Sequence, residues 1–135
     1  FPATDLNRYC AIDWAATGIY TPGRDLATPL FIDPEIRRTR EKSIVENYYQ
    51  ILLENGVTNF SLEELWEDIR IASLDRVHGY FLAIAFADME AINSVAGQDG
   101  KDPLTALLNW PSAALDDWDV SGAIDRYLKR AKAGK

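Results

Sequence analysis

The sequence predicts a mainly α domain preceded by a short β element. Three observations carry that prediction. Two helix starts are written out in capping residues, at Asp33-Pro34-Glu35 and at Ser61 with Glu64. Apolar residues follow each start at helical spacing. One stretch, Arg8–Ala15, alternates instead. With 135 residues, 47% of them apolar, the chain is long enough for a single domain, 1–135, with its own core. Residues 1–32 read as strand and loop, and 33–135 as a helical bundle.

In Arg8–Ala15 the alternation would turn Cys10, Ile12 and Trp14 to one side and Tyr9, Ala11 and Asp13 to the other. Thr17–Arg24 holds Gly18, Pro22 and Gly23 and reads as a loop with turns. Asp33 is a helix N-cap, Pro34 sits at N1 where its missing N–H costs nothing, and Glu35 suits the positive end of the dipole. Ile44, Val45, Tyr48 and Leu52 continue that helix, and Asn55-Gly56 ends it with Gly56 as a left-handed cap. Ser61 and Glu64 form a capping box, with Phe60 and Leu65 as its hydrophobic staple.

Leu62, Leu65, Trp66 and Ile69 give the second helix its buried face. The pattern runs on through Ile71, Leu74, Val77 and Phe81 into the apolar stretch Tyr80–Ala87, which predicts burial all round. Gly79 marks a kink or break. Gly97–Pro103 is a loop, Leu104–Asn109 a short helix after Asp102-Pro103. Ile124, Tyr127 and Leu128 define a last helix, with Lys129, Arg130 and Lys132 at its negative end.

Lys and Arg number 14 against 21 Asp and Glu, a net charge of −7, which argues against a nucleic-acid binder because phosphate contacts need clustered cations. Cys10 is the single cysteine, so no intramolecular disulfide forms and a reducing, cytoplasmic setting fits. The longest apolar run, Tyr80–Ala87, is far short of the roughly 20 residues of a membrane-spanning helix. A chain that opens on Phe1 reads as a piece of a longer product.

Asp13 is a carboxylate in an apolar strand, a costly placement unless it binds a metal, takes backbone hydrogen bonds or opens onto a cleft; the plainer reading is an edge acid facing water. Asp25 stands before the apolar Leu26-Ala27 and reads as a helix N-cap. The lone His78 reads as a core-edge histidine, and Cys10 as a small apolar residue. Glu63, Glu64, Glu67 and Asp68 form either a solvated face near a helix start or a wall that attracts a cationic substrate. Trp110 and Trp118, with Asp116, Asp117 and Asp119, are either core and helix-end residues or an ammonium-binding site.

Ile12-Asp13-Trp14, followed by Arg24-Asp25-Leu26-Ala27 with Asp25 twelve residues after Asp13, resembles the end of the catalytic region in aminoglycoside-phosphotransferase-like small-molecule kinases. That group includes choline-kinase-like and ecdysteroid-kinase-like branches. Asp33-Pro34-Glu35-Ile36-Arg37-Arg38, then Glu41, Tyr48-Tyr49, Leu52, Asn55-Gly56-Val57, Glu64-Leu65-Trp66 and Arg70, is similar to the helices that follow in the C-terminal lobe. The likeness covers most of the chain and weakens after about Ala87.

The resemblance implies the helical C-lobe of a protein-kinase-like fold, with a metal-loop-like segment in 1–32. It implies ATP and Mg²⁺ as cofactors, Asp13 as the Mg²⁺ ligand and Asp25 as a structural anchor of the catalytic loop. It implies a small hydroxylated, in some branches cationic, substrate, with Trp110, Asp116, Asp117 and Trp118 as candidate contacts. The H-x-D-x-x-x-x-N catalytic run and the lysine-bearing lobe of such enzymes are not in this sequence. The chain is therefore expected to contain no catalytic residue and to be inactive alone. A missing lobe would expose Trp14, Ile19 and Tyr20, which favours a homodimer. The alternative is a stand-alone, non-catalytic helical binding or self-assembling domain.

Overall fold

The computed structural model describes residues 18–86, 88 and 108–133. These are 81% helical with no strand among them, so the mainly α class holds. The strand expected at Arg8–Ala15 lies outside the described residues, as do Gly97–Pro103 and most of Leu104–Asn109.

Helix α1 (Pro22–Leu26) occupies part of what reads as loop. Pro22 supplies a helical φ at the first position, which offsets the poor propensity of so short a turn. A 3₁₀ turn follows at Thr28–Phe31. Helix α2 (Pro34–Glu54) starts where its sequence says: the Asp33 carboxylate accepts from the Glu35 N–H at 2.9 Å, with Pro34 at N1. It ends at Asn55, and Gly56 takes φ +84°, a conformation open to glycine at no steric cost.

Helix α3 (Leu62–Ala85) opens with the full capping box. The Glu64 N–H donates to the Ser61 hydroxyl at 3.2 Å, and the Ser61 N–H donates to the Glu64 carboxylate at 2.7 Å. It runs through Gly79 without a break. Helix α4 (Trp110–Asp117) and helix α5 (Val120–Ala133) form a hairpin. At its corner Asp119 adopts φ +53°, a region that Asp tolerates better than most residues, and its carboxylate accepts from the Gly122 N–H at 3.3 Å.

The centre of the fold is α3, on which α1, the 3₁₀ turn, α2, α4 and α5 all pack. Leu65, Ile69, Ser73 and Val77 form its inward stripe at helical spacing. They meet Ala27 and Leu30 from the N-terminal elements, Val45 from α2, and Ala114, Trp118 and Val120 from the hairpin. The expectation of burial all round for Tyr80–Ala87 is not met. Tyr80 packs on Phe31 with ring centroids 4.4 Å apart, but Phe81, Leu82 and Phe86 are exposed, because among the described residues nothing covers the last turns of α3. His78 is likewise exposed rather than at the core edge.

Candidate functional site

The first region of interest is the segment Arg24-Asp25-Leu26-Ala27. It is pinned to α3 first by a close approach at Gly23. Gly23 is buried, and its N–H donates to the Asp68 carboxylate at 2.7 Å. A Cβ at Gly23 would lie 2.4 Å from the backbone carbon of Asp68, so only glycine permits this distance. Ala27 is fully buried beneath it. Arg76 of α3 adds a second tie, donating to the Arg24 carbonyl at 2.9 Å. Asp25 is not a buried anchor here: its side chain is 95% exposed, and its partner is the Arg76 guanidinium at 3.6 Å. Gly23, Asp68 and Arg76 tie this segment to α3. Asp13, assigned to Mg²⁺ by the resemblance, lies outside the described residues. Among those described, no group of three or more His, Cys, Asp or Glu is arranged to hold a metal ion.

The second region holds the residues singled out as substrate contacts. Asp117 accepts from Arg37 and, in a fork, from Arg38 at 2.8 and 3.2 Å. The Arg38 hydrogen bond, with Arg37 behind it, holds the Asp117 carboxyl below its usual range. Trp118 is buried, its indole N–H donating to Glu41 at 2.9 Å and its ring lying 5.3 Å from the Arg37 guanidinium. Its carbonyl accepts from Arg70 at 2.9 Å. A buried ring already facing a cation, and a carboxylate already shared by two guanidiniums, are parts of a structural cluster rather than walls of an ammonium site. Arg37 is its hub, 1% exposed, bonded to both Glu41 and Asp117. Asp116 is exposed. Of the four, Trp110 lines a hollow, a shallow one of about 460 Å³ that it shares with Asp33, Glu35 and Arg38.

The third region is a groove that sequence reasoning approached only through its acids. It has a volume of about 300 Å³ and lies between the start of α1, α3 and the outer half of α5. Thr21 and Pro22 form one end. Phe60, Glu64, Glu67, Asp68 and Ile71 form the floor, the last four falling on one helical face of α3. Tyr127 and Arg130, one turn apart on α5, form the far wall. Phe60 is held in place by its carbonyl, which accepts from the Tyr49 hydroxyl at 3.0 Å.

The acidic stripe divides here into distinct jobs. Glu63 pairs with Arg70 at 2.9 Å. Glu67 takes Arg126 at 2.8 Å and Arg70 at 2.7 Å, and the Arg126 hydrogen bond holds its carboxyl low. Glu64 and Asp68 differ: each accepts hydrogen bonds from uncharged donors, Ser61 and Gly23, and has no salt-bridge partner among the described residues. Comparison of the chain with protein-family models, curated proteins and solved structures gives no match.

Proposed function

We propose that this chain is the C-terminal, substrate-side portion of an ATP- and Mg²⁺-dependent phosphotransferase that acts on a hydroxyl of a small molecule. The observation that carries the reading is the ordered run Ile12-Asp13-Trp14, Arg24-Asp25-Leu26-Ala27 and Asp33-Pro34-Glu35. A helical body that grips Arg24–Ala27 through Gly23 supports it. A segment that must hold a metal-bound phosphate in register needs such a fixed base, since catalysis of phosphoryl transfer is mostly positioning and charge stabilisation. In this reading Asp13 holds Mg²⁺, the nucleotide and catalytic loop belong to sequence upstream, and the 135 residues do not transfer phosphate alone.

The test is to read the coding sequence upstream of the Phe1 codon, express the extended protein, and assay Mg²⁺-dependent ATP turnover beside the short chain. The expected result is an upstream H-x-D-x-x-x-x-N run, turnover by the long form, its loss in Asp13→Asn, and none from the short form. A start codon close upstream with no such run overturns the reading. That outcome favours the second one, a non-catalytic helical binding or self-assembling domain. Its specific support is the exposure of Ile19, Tyr20, Phe81, Leu82 and Phe86.

A further inference from the structure

We propose that the groove between α3 and α5 is a binding site for a small apolar molecule carrying an ammonium group. This does not rest on the phosphotransferase reading, since every wall of the groove is a described residue and Asp13 is not among them. Its volume of about 300 Å³ lies at the lower end of small-molecule sites. The apolar body of a ligand would lie along Pro22, Phe60, Ile71 and Tyr127. The apolar stripe of α5 points to the same place: Val120 and Ala123 are buried against the body, but Tyr127, one turn after Ala123 on that stripe, is 59% exposed over the groove. The helix carries more apolar face than the protein itself covers.

Charge selects the head group. Glu67 is saturated by Arg126 and Arg70 and offers nothing to a ligand. Glu64 accepts both Ser61 bonds on Oε2, and Asp68 accepts the Gly23 bond on Oδ2, so one oxygen of each carboxylate is unengaged among the described residues. Two carboxylates without a salt-bridge partner among the described residues share the groove with one cation, Arg130, whose charge acts on Glu64. A carboxylate or phosphate head would meet net repulsion there, and a neutral head would leave the carboxylates as they are. An ammonium has a partner in each: the half-buried Asp68 beside the apolar trough, where screening by water is reduced, and the exposed Glu64 at its rim.

The experiment uses the chain as it stands, with octylamine as probe and octanol and octanoate as matched neutral and anionic controls. Binding is read by calorimetry and located by amide chemical-shift changes. The expected result is saturable octylamine binding, with shifts at Gly23, Asp68, Ile71 and Tyr127 and the two controls at least about threefold weaker. Glu64→Gln and Asp68→Asn keep the acceptors for Ser61 and Gly23 but remove the charge. Each should weaken octylamine by about two- to fivefold and leave octanol unchanged. Tyr127→Ala should weaken both by about tenfold. Octanol or octanoate binding as tightly as octylamine overturns the proposal. So do shifts located elsewhere, or no saturation at millimolar probe. Should a charge variant fail to fold, the comparison of the three probes on the unaltered chain decides.

Discussion

Arg37 offers the sharpest test of what holds the α4–α5 hairpin to the body. Its side chain is fully buried, its guanidinium bonds Glu41 and Asp117, and its Nε has no partner among the described residues. Glu41 bonds the Trp118 indole N–H as well. Replacing Glu41 by alanine leaves a buried guanidinium with one carboxylate, itself shared with Arg38, and a buried indole N–H without an acceptor. Breaking a buried pair from one side costs about 3–5 kcal/mol, and an orphaned neutral donor about 1–3 kcal/mol. Glu41 is 18% exposed and Asp117 remains, so water and the second carboxylate recover part of this, and about 3 kcal/mol is expected. At a urea m-value of roughly 2 kcal/mol/M the midpoint falls by about 1.5 M, measured by far-ultraviolet circular dichroism. Arg37→Met combined with Glu41→Ala removes the stranded charge and should be more stable than Glu41→Ala alone. A Glu41→Ala midpoint within about 0.3 M of the parent refutes the reasoning, as does a double variant weaker than the single. Glu41→Gln, which keeps an acceptor for the indole, should fall between.

Gly23→Ala forces the new Cβ against the α3 backbone and should cost about 1–3 kcal/mol or more, with loss of protection at the Gly23 amide in hydrogen exchange; an unchanged melting curve would contradict the close approach. Asp25→Asn should change stability by no more than about 0.5 kcal/mol, because the side chain is exposed; a larger loss would restore its role as an anchor. Acid should loosen the hairpin. Glu67, Asp117 and Asp119 have folded pKa values below their ordinary 4.5, 3.8 and 3.8, so their stabilisation is complete above those values and is lost as pH falls through the lower folded ones. Urea midpoints should therefore hold from neutrality to about pH 4.5 and drop below it, and a midpoint unchanged at pH 3 would show that these pairs contribute nothing. The exposed Ile19, Phe81, Leu82 and Phe86 predict self-association, which sedimentation across a hundredfold concentration range would reveal or exclude.

What could be read from the sequence was what is local. Asp33-Pro34, Ser61 with Glu64, and Asn55-Gly56 act within four residues of themselves, so the starts of both long helices and the end of α2 were legible. Helix α1 was not, because its strongest reason for existing lies outside its own sequence: Gly23 meets Asp68, which is 45 residues away. Gly and Pro in Thr17–Arg24 read as a turn on local grounds, and tertiary contact decided otherwise. The apolar run at Tyr80–Ala87 failed for the opposite reason. Periodicity reports that a residue can be buried, not that a partner is there to bury it.

The same limit explains why residue type left two readings of Trp118 and Asp117 open, packing or an ammonium site. Residue type predicted that Trp118 and Asp117 could hold a cation, and in that narrow sense they do. The cations are Arg37 and Arg38 of the chain itself, about 80 residues earlier. Conversely, the stripe Glu63, Glu64, Glu67 and Asp68 looked uniform because its members share charge and helix. Only the fold shows that Glu63 and Glu67 are neutralised by Arg70 and Arg126, while Glu64 and Asp68 keep their charge beside an apolar trough. A carboxylate's availability is set by which guanidinium reaches it: Arg70 is a neighbour on the same helix, but no spacing within α3 encodes the reach of Arg126 from α5. Asp68 sits on both sides of the question: one oxygen fixes Gly23 at the entrance to Arg24–Ala27, and the other is unengaged among the described residues. A cation bound there would draw on the same carboxylate that holds α1 to the body. Occupancy of the groove and the seating of that segment are therefore linked through a single side chain, and Asp68→Asn would weaken the first while sparing the second.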